Sequence, residues 1–237
     1  MNGRADGRTD GRTDVDVAIV GGGPVGAALG ALLKRAPGGA AHRVLLLERQ
    51  LPDPTPADDL RVVALSRASE RVLGAAGAWP ALQAMPGALS GYERMQVWSA
   101  DGTPRGPESL GFDAAELGEP DLGHIVSYAR VQRAALDAFT AAGGTVATAA
   151  LSGLEFEAGA VTLLADGHRW RASLVVGADG GRSLVRQAAG LAVESQDYRQ
   201  SGVVATLSSE RPHERTAWQG FLGDGTLALL PLADGAS

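Results

Sequence analysis

Two glycine turns and one acidic residue supply the spacing on which chemistry could be built. Gly21-Gly22-Gly23-Pro24-Val25-Gly26 matches G-x-G-x-x-G, and Glu48 follows 22 positions after Gly26. Far along the chain, Gly177-Ala178-Asp179-Gly180-Gly181-Arg182-Ser183 forms a second such turn with an Asp at its centre. In a dinucleotide site, Gly21 permits the tight turn and Gly23 lets a pyrophosphate approach the backbone. Gly26 then allows helix and strand to pack closely. Glu48 would accept hydrogen bonds from ribose hydroxyls, which disfavours a 2′-phosphate there. The turn alone leaves FAD and NAD both open. For the second turn, the plain alternative is an ordinary strand-to-helix connection with Asp179 as a helix N-cap.

The bare pattern is weak evidence. With 33 glycines in 237 residues, chance alone supplies roughly half a match per chain of this composition. The elements around it carry the weight. Val15 to Val20 is a short β-branched run of the kind found in a buried parallel strand. Helix formers and small residues from Ala27 to Arg35 follow the turn, and Pro37-Gly38-Gly39 ends them. Val44 to Leu47 is a second apolar run that closes at Glu48. From residue 145 to 176, short apolar runs alternate with turns at Gly159 and Asp166-Gly167, which predicts a β meander. Its last strand, Leu174 to Val176, enters the second glycine turn, and a short helix over Leu184 to Ala189 follows.

Composition narrows the classes. No cysteine means no disulfide, no thiolate metal site and no cysteine nucleophile. Lys34 is the single lysine, so Schiff-base and Walker-type mechanisms have little to use. A net charge of -6 argues against a nucleic-acid partner. The apolar stretch from Val15 to Leu33 carries Asp16 and is interrupted by glycines and a proline, so it suits neither a membrane span nor a signal peptide. The four histidines are scattered without metal-ligand spacing, and no Gly-x-Ser-x-Gly elbow exists. No metal site is expected. Trp98 and Trp218 fall on expected strands, where they either pack a core or line a pocket. Met1 to Asp14 is a tandem of Asp-Gly-Arg units with nothing apolar to bury, so it reads as a disordered tail.

Four segments together resemble the flavin-dependent aromatic hydroxylases, the class that includes p-hydroxybenzoate hydroxylase, and within it the ubiquinone-biosynthesis hydroxylases. The first is Gly21 to Gly26 with Glu48-Arg49 closing the second strand. The second, Asp59 to Ser66, is similar to the family's Arg-x-x-Ala-Leu segment. The third, Gly177 to Ser183 with Arg186, is similar to its Asp-Gly fingerprint. The fourth runs from Tyr198-Arg199-Gln200 through Glu210, His213 and Ala217-Trp218-Gln219 to Leu227–Leu232.

The resemblance implies an α/β fold: a Rossmann-like FAD-binding domain with a second, mixed β-sheet substrate domain that is incomplete in this sequence. Residues 15–87 and 120–192 would form the first, and 88–119 and 193–237 the second. FAD would be held by Gly21, Gly23, Pro24, Val25 and Gly26, with Glu48 and Arg49 at the end of the second strand. Arg61 would lie against the flavin's phosphate and ribityl chain, where a planar guanidinium can donate two parallel hydrogen bonds. Its alternative is a surface arginine opening a helix. Arg130, heading a helix over Val131 to Ala141, stands where relatives place a flavin-contacting polar residue. Asp179 and Gly180 belong to the fingerprint linked to both FAD and the nicotinamide donor.

The implied chemistry belongs to the flavin, so no catalytic side chain is assigned. NAD(P)H reduces FAD, O2 adds to the reduced ring, and the hydroperoxide so formed transfers one oxygen atom to an aromatic ring, expected to be a prenylated phenol. Association with a quinone-pathway complex or with the periphery of the inner membrane, otherwise a cytoplasmic location, belongs to the same expectation. Family members are longer and carry a further Gly-Asp motif on the flavin that is absent here. The expected protein is therefore an N-terminal portion of such a hydroxylase. The rivals are another FAD-dependent oxidoreductase on this scaffold, a reductase or halogenase, and an inactive truncated flavoprotein fragment.

Overall fold

The computed structural model describes residues 12–53 and 60–237. The first eleven residues of the expected tail, and Asp59 of the second family segment, lie outside the described residues. In chain order the elements are β1 (Arg12–Val20), α1 (Pro24–Arg35), β2 (Val44–Glu48), β3 (Val62–Ser66), α2 (Arg67–Ala76) and α3 (Trp79–Ala84). Next come β4 (Leu89–Tyr92), β5 (Arg94–Ser99), β6 (Leu110–Asp113), β7 (Gly123–Ser127) and α4 (Tyr128–Ala141). The last are β8 (Thr145–Thr148), β9 (Leu151–Glu157), β10 (Ala160–Ala165), β11 (His168–Gly177), α5 (Leu184–Ala188), β12 (Thr216–Leu222) and β13 (Gly225–Leu229). Two compact units result. The first draws on Met1–Thr55, Ala75–Ala78 and Gln132–Gln200, and the second on Pro56–Gly74, Trp79–Val131 and Ser201–Ser237.

The first unit is built on a six-stranded sheet in the order β8-β2-β1-β11-β10-β9. The pairs β8–β2, β2–β1 and β1–β11 are parallel. The meander β9-β10-β11 is antiparallel, as its turns predict. β1 and β2 end as unbroken apolar runs because both faces are covered: Ala18 to Val20 and Val44 to Leu47 are buried. On α1 the buried face is made of small residues, Gly26, Ala27, Ala28, Gly30 and Ala31. A Cβ on Gly30 would stand 2.9 Å from the ring of Phe139, which is itself fully buried. Large residues there would push α1 off the sheet. Lys34 also turns inward, where Nζ donates to the carbonyls of Ala40 and His42 and ties down the loop before β2.

β1 starts at Arg12, three residues ahead of the apolar run, so residues 12–14 are strand and not tail. Their backbone pairs with Arg169, Trp170 and Arg171 of β11. Main-chain pairing to a longer neighbour extends the strand where side-chain burial gives no signal.

The second unit holds a three-stranded antiparallel sheet, β3-β7-β4, and a four-stranded sheet, β13-β12-β5-β6. In the latter, β12 runs parallel to β5 although more than a hundred residues separate them. The hairpin β12–β13 turns at Gly223-Asp224, with Leu222 opposite Gly225. Residues 191–209 contain no strand, although the family segment beginning at Tyr198 implies one. At the start of that segment Asp197 Oδ1 accepts the Arg199 N–H at 2.8 Å in an Asx turn, and Arg199 sits at φ +51°. No described helix is long and apolar enough to cross a membrane.

Candidate dinucleotide site

The register of the first unit brings three chain turns to one sheet edge. Val20 of β1 lies level with Leu47 of β2 and with Gly177 of β11. The next residues of each strand, Gly21, Glu48 and Ala178, therefore emerge together at the carboxyl ends of parallel strands. That is where open α/β sheets bind ligands. Backbone bonds lock the edge: Gly21 N–H donates to Leu47 O at 2.8 Å, and Ala178 N–H donates to Val20 O at 2.7 Å.

Only glycine fits the first turn. Gly21 adopts φ +105°, and a Cβ there would stand 2.3 Å from the Ala178 carbonyl oxygen. A Cβ on Gly26 would stand 2.0 Å from Gly21 O. The two glycine turns recognised in sequence thus touch each other. α1 begins at Pro24, which has no N–H to satisfy, with Gly23 as N-cap and no side chain capping the first turn. An uncapped helix start behind a bare backbone cradle is a ready anion site. Val25 stands at its mouth, 76% exposed.

Glu48 sits across from this turn. Oε2 accepts the Gly22 N–H at 2.5 Å and Oε1 accepts the Gln50 N–H at 3.2 Å. Each oxygen retains acceptor capacity for a ribose hydroxyl. Arg49, next in line, is exposed. Gln132, on α4, donates from Nε2 to Gly22 O at 2.9 Å. Sequence reasoning missed this residue, since it lies 110 positions from the turn and belongs to no local pattern.

In the second turn, Asp179 Oδ2 accepts the N–H groups of Leu184 (2.7 Å) and Val185 (3.3 Å). Ser183 is the N-cap of α5 and accepts the Arg186 N–H. Asp179 is thus a helix-start residue held by two donors, while its other oxygen, Oδ1, is buried with no partner. A hydroxyl-bearing ligand would satisfy that orphaned acceptor. Gly180 has φ +80° with open space around it, so conformation and not crowding asks for glycine there. Arg186 donates to Gly181 O and braces the turn.

Arg61 and Arg130 belong to the second unit. Arg61 does not open a helix: it precedes β3, its carbonyl accepts the Tyr128 N–H, and its guanidinium lies 3.8 Å over the Tyr128 ring. α4 starts at Tyr128, earlier than Val131, which puts Arg130 in its first turn. Arg130 lines a cleft of about 550 Å³ with Val62, Ser90, Ser127 and Leu232. Trp98 and Trp218 line a separate cleft of about 820 Å³ with Arg105, His213, Leu227 and Leu229. Gly220 faces Trp98 across the strands, where a Cβ would meet the indole at 2.6 Å.

His124 is neither exposed nor a lone core residue. Nδ1 lies 2.6 Å from Glu70 Oε1, and Trp79 packs edge-on against the imidazole. Glu70, Asp121 and His124 are close enough to hold a cation. The Arg67 guanidinium already occupies that charge, at 2.7 Å from Glu70 and 3.4 Å from Asp121. The cluster is an ion-pair network. Burial, then the charges of Asp121 and Glu70, push the Tyr92 hydroxyl pKa above its ordinary value.

A glycine cradle at the carboxyl edge of parallel strands, with an acid closing the second strand, defines a dinucleotide-binding α/β protein. The chain belongs to the FAD binding domain family, whose model matches residues 14–234. It is 37% identical over 235 residues to the 3-demethoxyubiquinol 3-hydroxylase of Escherichia coli K12, covering 92% of this chain and 55% of that protein. It is 36% identical to the mitochondrial ubiquinone biosynthesis monooxygenase of Xenopus tropicalis, covering 94% of this chain and 50% of that one. The chain thus spans about half the length of the curated relatives it matches. Among solved structures, aklavinone-11 hydroxylase in complex with FAD and aklavinone superposes with a TM-score of 0.66 at 19% identity, over 95% of this chain and 44% of that one. The flavin-dependent monooxygenase PieE superposes with a TM-score of 0.62 at 17% identity, over 92% of this chain and 41% of that one. These two likenesses establish the fold. The donor set fits the family's cofactor: no side chain caps the start of α1, and the buried Asp179 Oδ1 has no protein partner.

Proposed function

We propose that the chain carries the FAD cradle and part of the substrate side of a monooxygenase that hydroxylates an aromatic ring, a prenylated phenol of ubiquinone biosynthesis. Gly21, Gly23 and Gly26 admit the diphosphate to backbone N–H groups and to the positive end of α1. Pro24 starts that helix, and Val25 offers the N–H after it. Glu48 holds the adenosine ribose, with Arg49 beside it. Arg61 and Arg130 are the cationic side chains assigned to the cofactor's phosphate and ribityl side. Asp179 and Gly180 shape the turn that meets Gly21. Bound FAD supplies the redox chemistry, taking two electrons from NAD(P)H so that one atom of O2 enters the ring and the other leaves as water. The clefts beside Arg130 and between Trp98 and Trp218 are the surfaces on which an aromatic ring would lie. A prenylated substrate resides in the bilayer, so we place the protein in the cytoplasm at the periphery of the inner membrane.

One observation carries this reading: the two glycine turns and Glu48 converge on the same sheet edge, as a dinucleotide requires, and the family match selects FAD. The likeness to two ubiquinone-pathway hydroxylases supports the substrate class. The test is reconstitution with FAD, followed by anaerobic mixing with NADH or NADPH in the presence of a prenylated phenol. Retained flavin absorption that bleaches with the nicotinamide is expected. Protein that elutes colourless after FAD loading contradicts the reading.

A further inference from the structure

Gly22 is gripped at both ends. Its N–H goes to Glu48 Oε2, and its carbonyl takes the amide of Gln132 at 2.9 Å. The carbonyl can only accept, so the NH2 end of Gln132 must face it. A trans peptide points its C=O and N–H in opposite directions, and no described peptide bond is cis. Fixing the Gly22 carbonyl toward α4 therefore turns the Gly23 N–H away from α4. Gly23 is the N-cap of α1 and the residue at which the backbone must approach a diphosphate. Glycine has no side chain to steady its own dihedrals, and three glycines in succession would otherwise leave this peptide free to flip.

We propose that Gln132 is a positioning residue for the diphosphate cradle, holding the Gly22–Gly23 peptide in the orientation that binds FAD. The proposal rests on the FAD reading above. The amide of Gln132 is spent on the turn's own backbone, so it acts by preorganisation: the peptide is already aimed before the ligand arrives. Nothing in the Gly21–Gly26 pattern identifies it, because the partner comes from a helix that follows β7.

The test compares the full chain with Gln132→Met, which keeps the length without a donor, and Gln132→Glu, which sets an acceptor against the Gly22 carbonyl. FAD affinity is read by flavin fluorescence quenching well below the melting temperature, and the melting temperature of the apoprotein is recorded alongside. Loss of one hydrogen bond that leaves a carbonyl unpaired predicts about tenfold weaker FAD binding for Gln132→Met. Gln132→Glu should bind more weakly still at neutral pH. Its affinity should recover as the pH falls through the carboxyl range, where the protonated acid can donate again, and Gln132→Met should show no such recovery. A purely structural role predicts lower melting temperatures with unchanged affinity of the folded protein, and that result overturns the proposal. If the wild-type chain binds FAD while both variants match it, this inference alone fails. If the wild-type chain binds no FAD, the cofactor reading fails with it.

Discussion

Gly26 lies so close under Gly21 that a methyl group on it would stand 2.0 Å from the Gly21 carbonyl oxygen. The atom in the way is backbone, so relief requires moving the turn. Gly26→Ala should therefore destabilise by about 1–3 kcal/mol, in the range of overpacked sites. At roughly 2–4 °C per kcal/mol for a chain of this size, the melting temperature should drop visibly, and FAD affinity should drop with it. Gly74→Ala is the opposite case. Gly74 is exposed within α2 and a Cβ there meets nothing within 4 Å. Removing a helical glycine should stabilise by about 0.5–1 kcal/mol. Thermal melts of the two variants check both signs.

Asp179 separates a capping role from a cofactor role. Asp179→Ala removes the acceptor of the Leu184 and Val185 N–H groups and should cost about 0.5–2 kcal/mol. Asp179→Asn keeps an acceptor oxygen, so its melting temperature should stay near that of the wild type. Reduction of the bound flavin by NAD(P)H should nevertheless slow in Asp179→Asn if the charge serves the cofactor. An unchanged melt for Asp179→Ala would contradict the capping geometry.

Glu70 joins Arg67 and His124 in a buried network. Glu70→Ala leaves His124 Nδ1 without its 2.6 Å partner while Arg67 keeps Asp121 and Glu119, and should lower stability by about 1–3 kcal/mol. A double-mutant cycle with His124→Ala should give an interaction energy of about 0.5 kcal/mol or more, as expected for residues in direct contact. Strict additivity in denaturant melts would show that the 2.6 Å contact contributes nothing.

Tyr92 should titrate late. Burial and the neighbouring Asp121 and Glu70 charges raise its pKa in the folded state. A raised pKa means that the folded form favours the neutral phenol. Its contribution to stability is then complete below the unfolded value of about 10 and is lost as the pH climbs through the folded value. Ultraviolet titration should show a tyrosine step above the ordinary value that belongs to Tyr92. Tyr92→Phe should remove that step and lessen the alkaline loss of stability. A Tyr92 that ionises at the ordinary value of about 10 would contradict the burial argument.

What the sequence made legible was local. The run from Val15 through the glycine turn to Glu48 follows spacing rules, and the structure builds it as β1, α1 and β2. The meander and the Gly223-Asp224 hairpin are legible for the same reason, since their turns are written in adjacent residues. Pairings across long separations left no trace. The parallel match of β5 with β12, the bond from Gln132 to Gly22 and the contact of Glu70 with His124 all join distant segments. Residues 12–14 misled because their strand is held by backbone pairing. For Arg61 only the alternative of a helix start is removed, because the segment after it pairs with β7.

We propose that the turns after β1 and β11, with Glu48, form the binding site for the adenosine diphosphate half of FAD. The direct measurement is FAD titration of the purified chain by flavin fluorescence, with ADP and riboflavin as competitors. Saturable binding of one FAD per chain is expected, displaced by ADP and not by riboflavin, abolished by Gly21→Ala and weakened by Gly26→Ala. Binding that ADP leaves untouched, or that survives both substitutions, would contradict it.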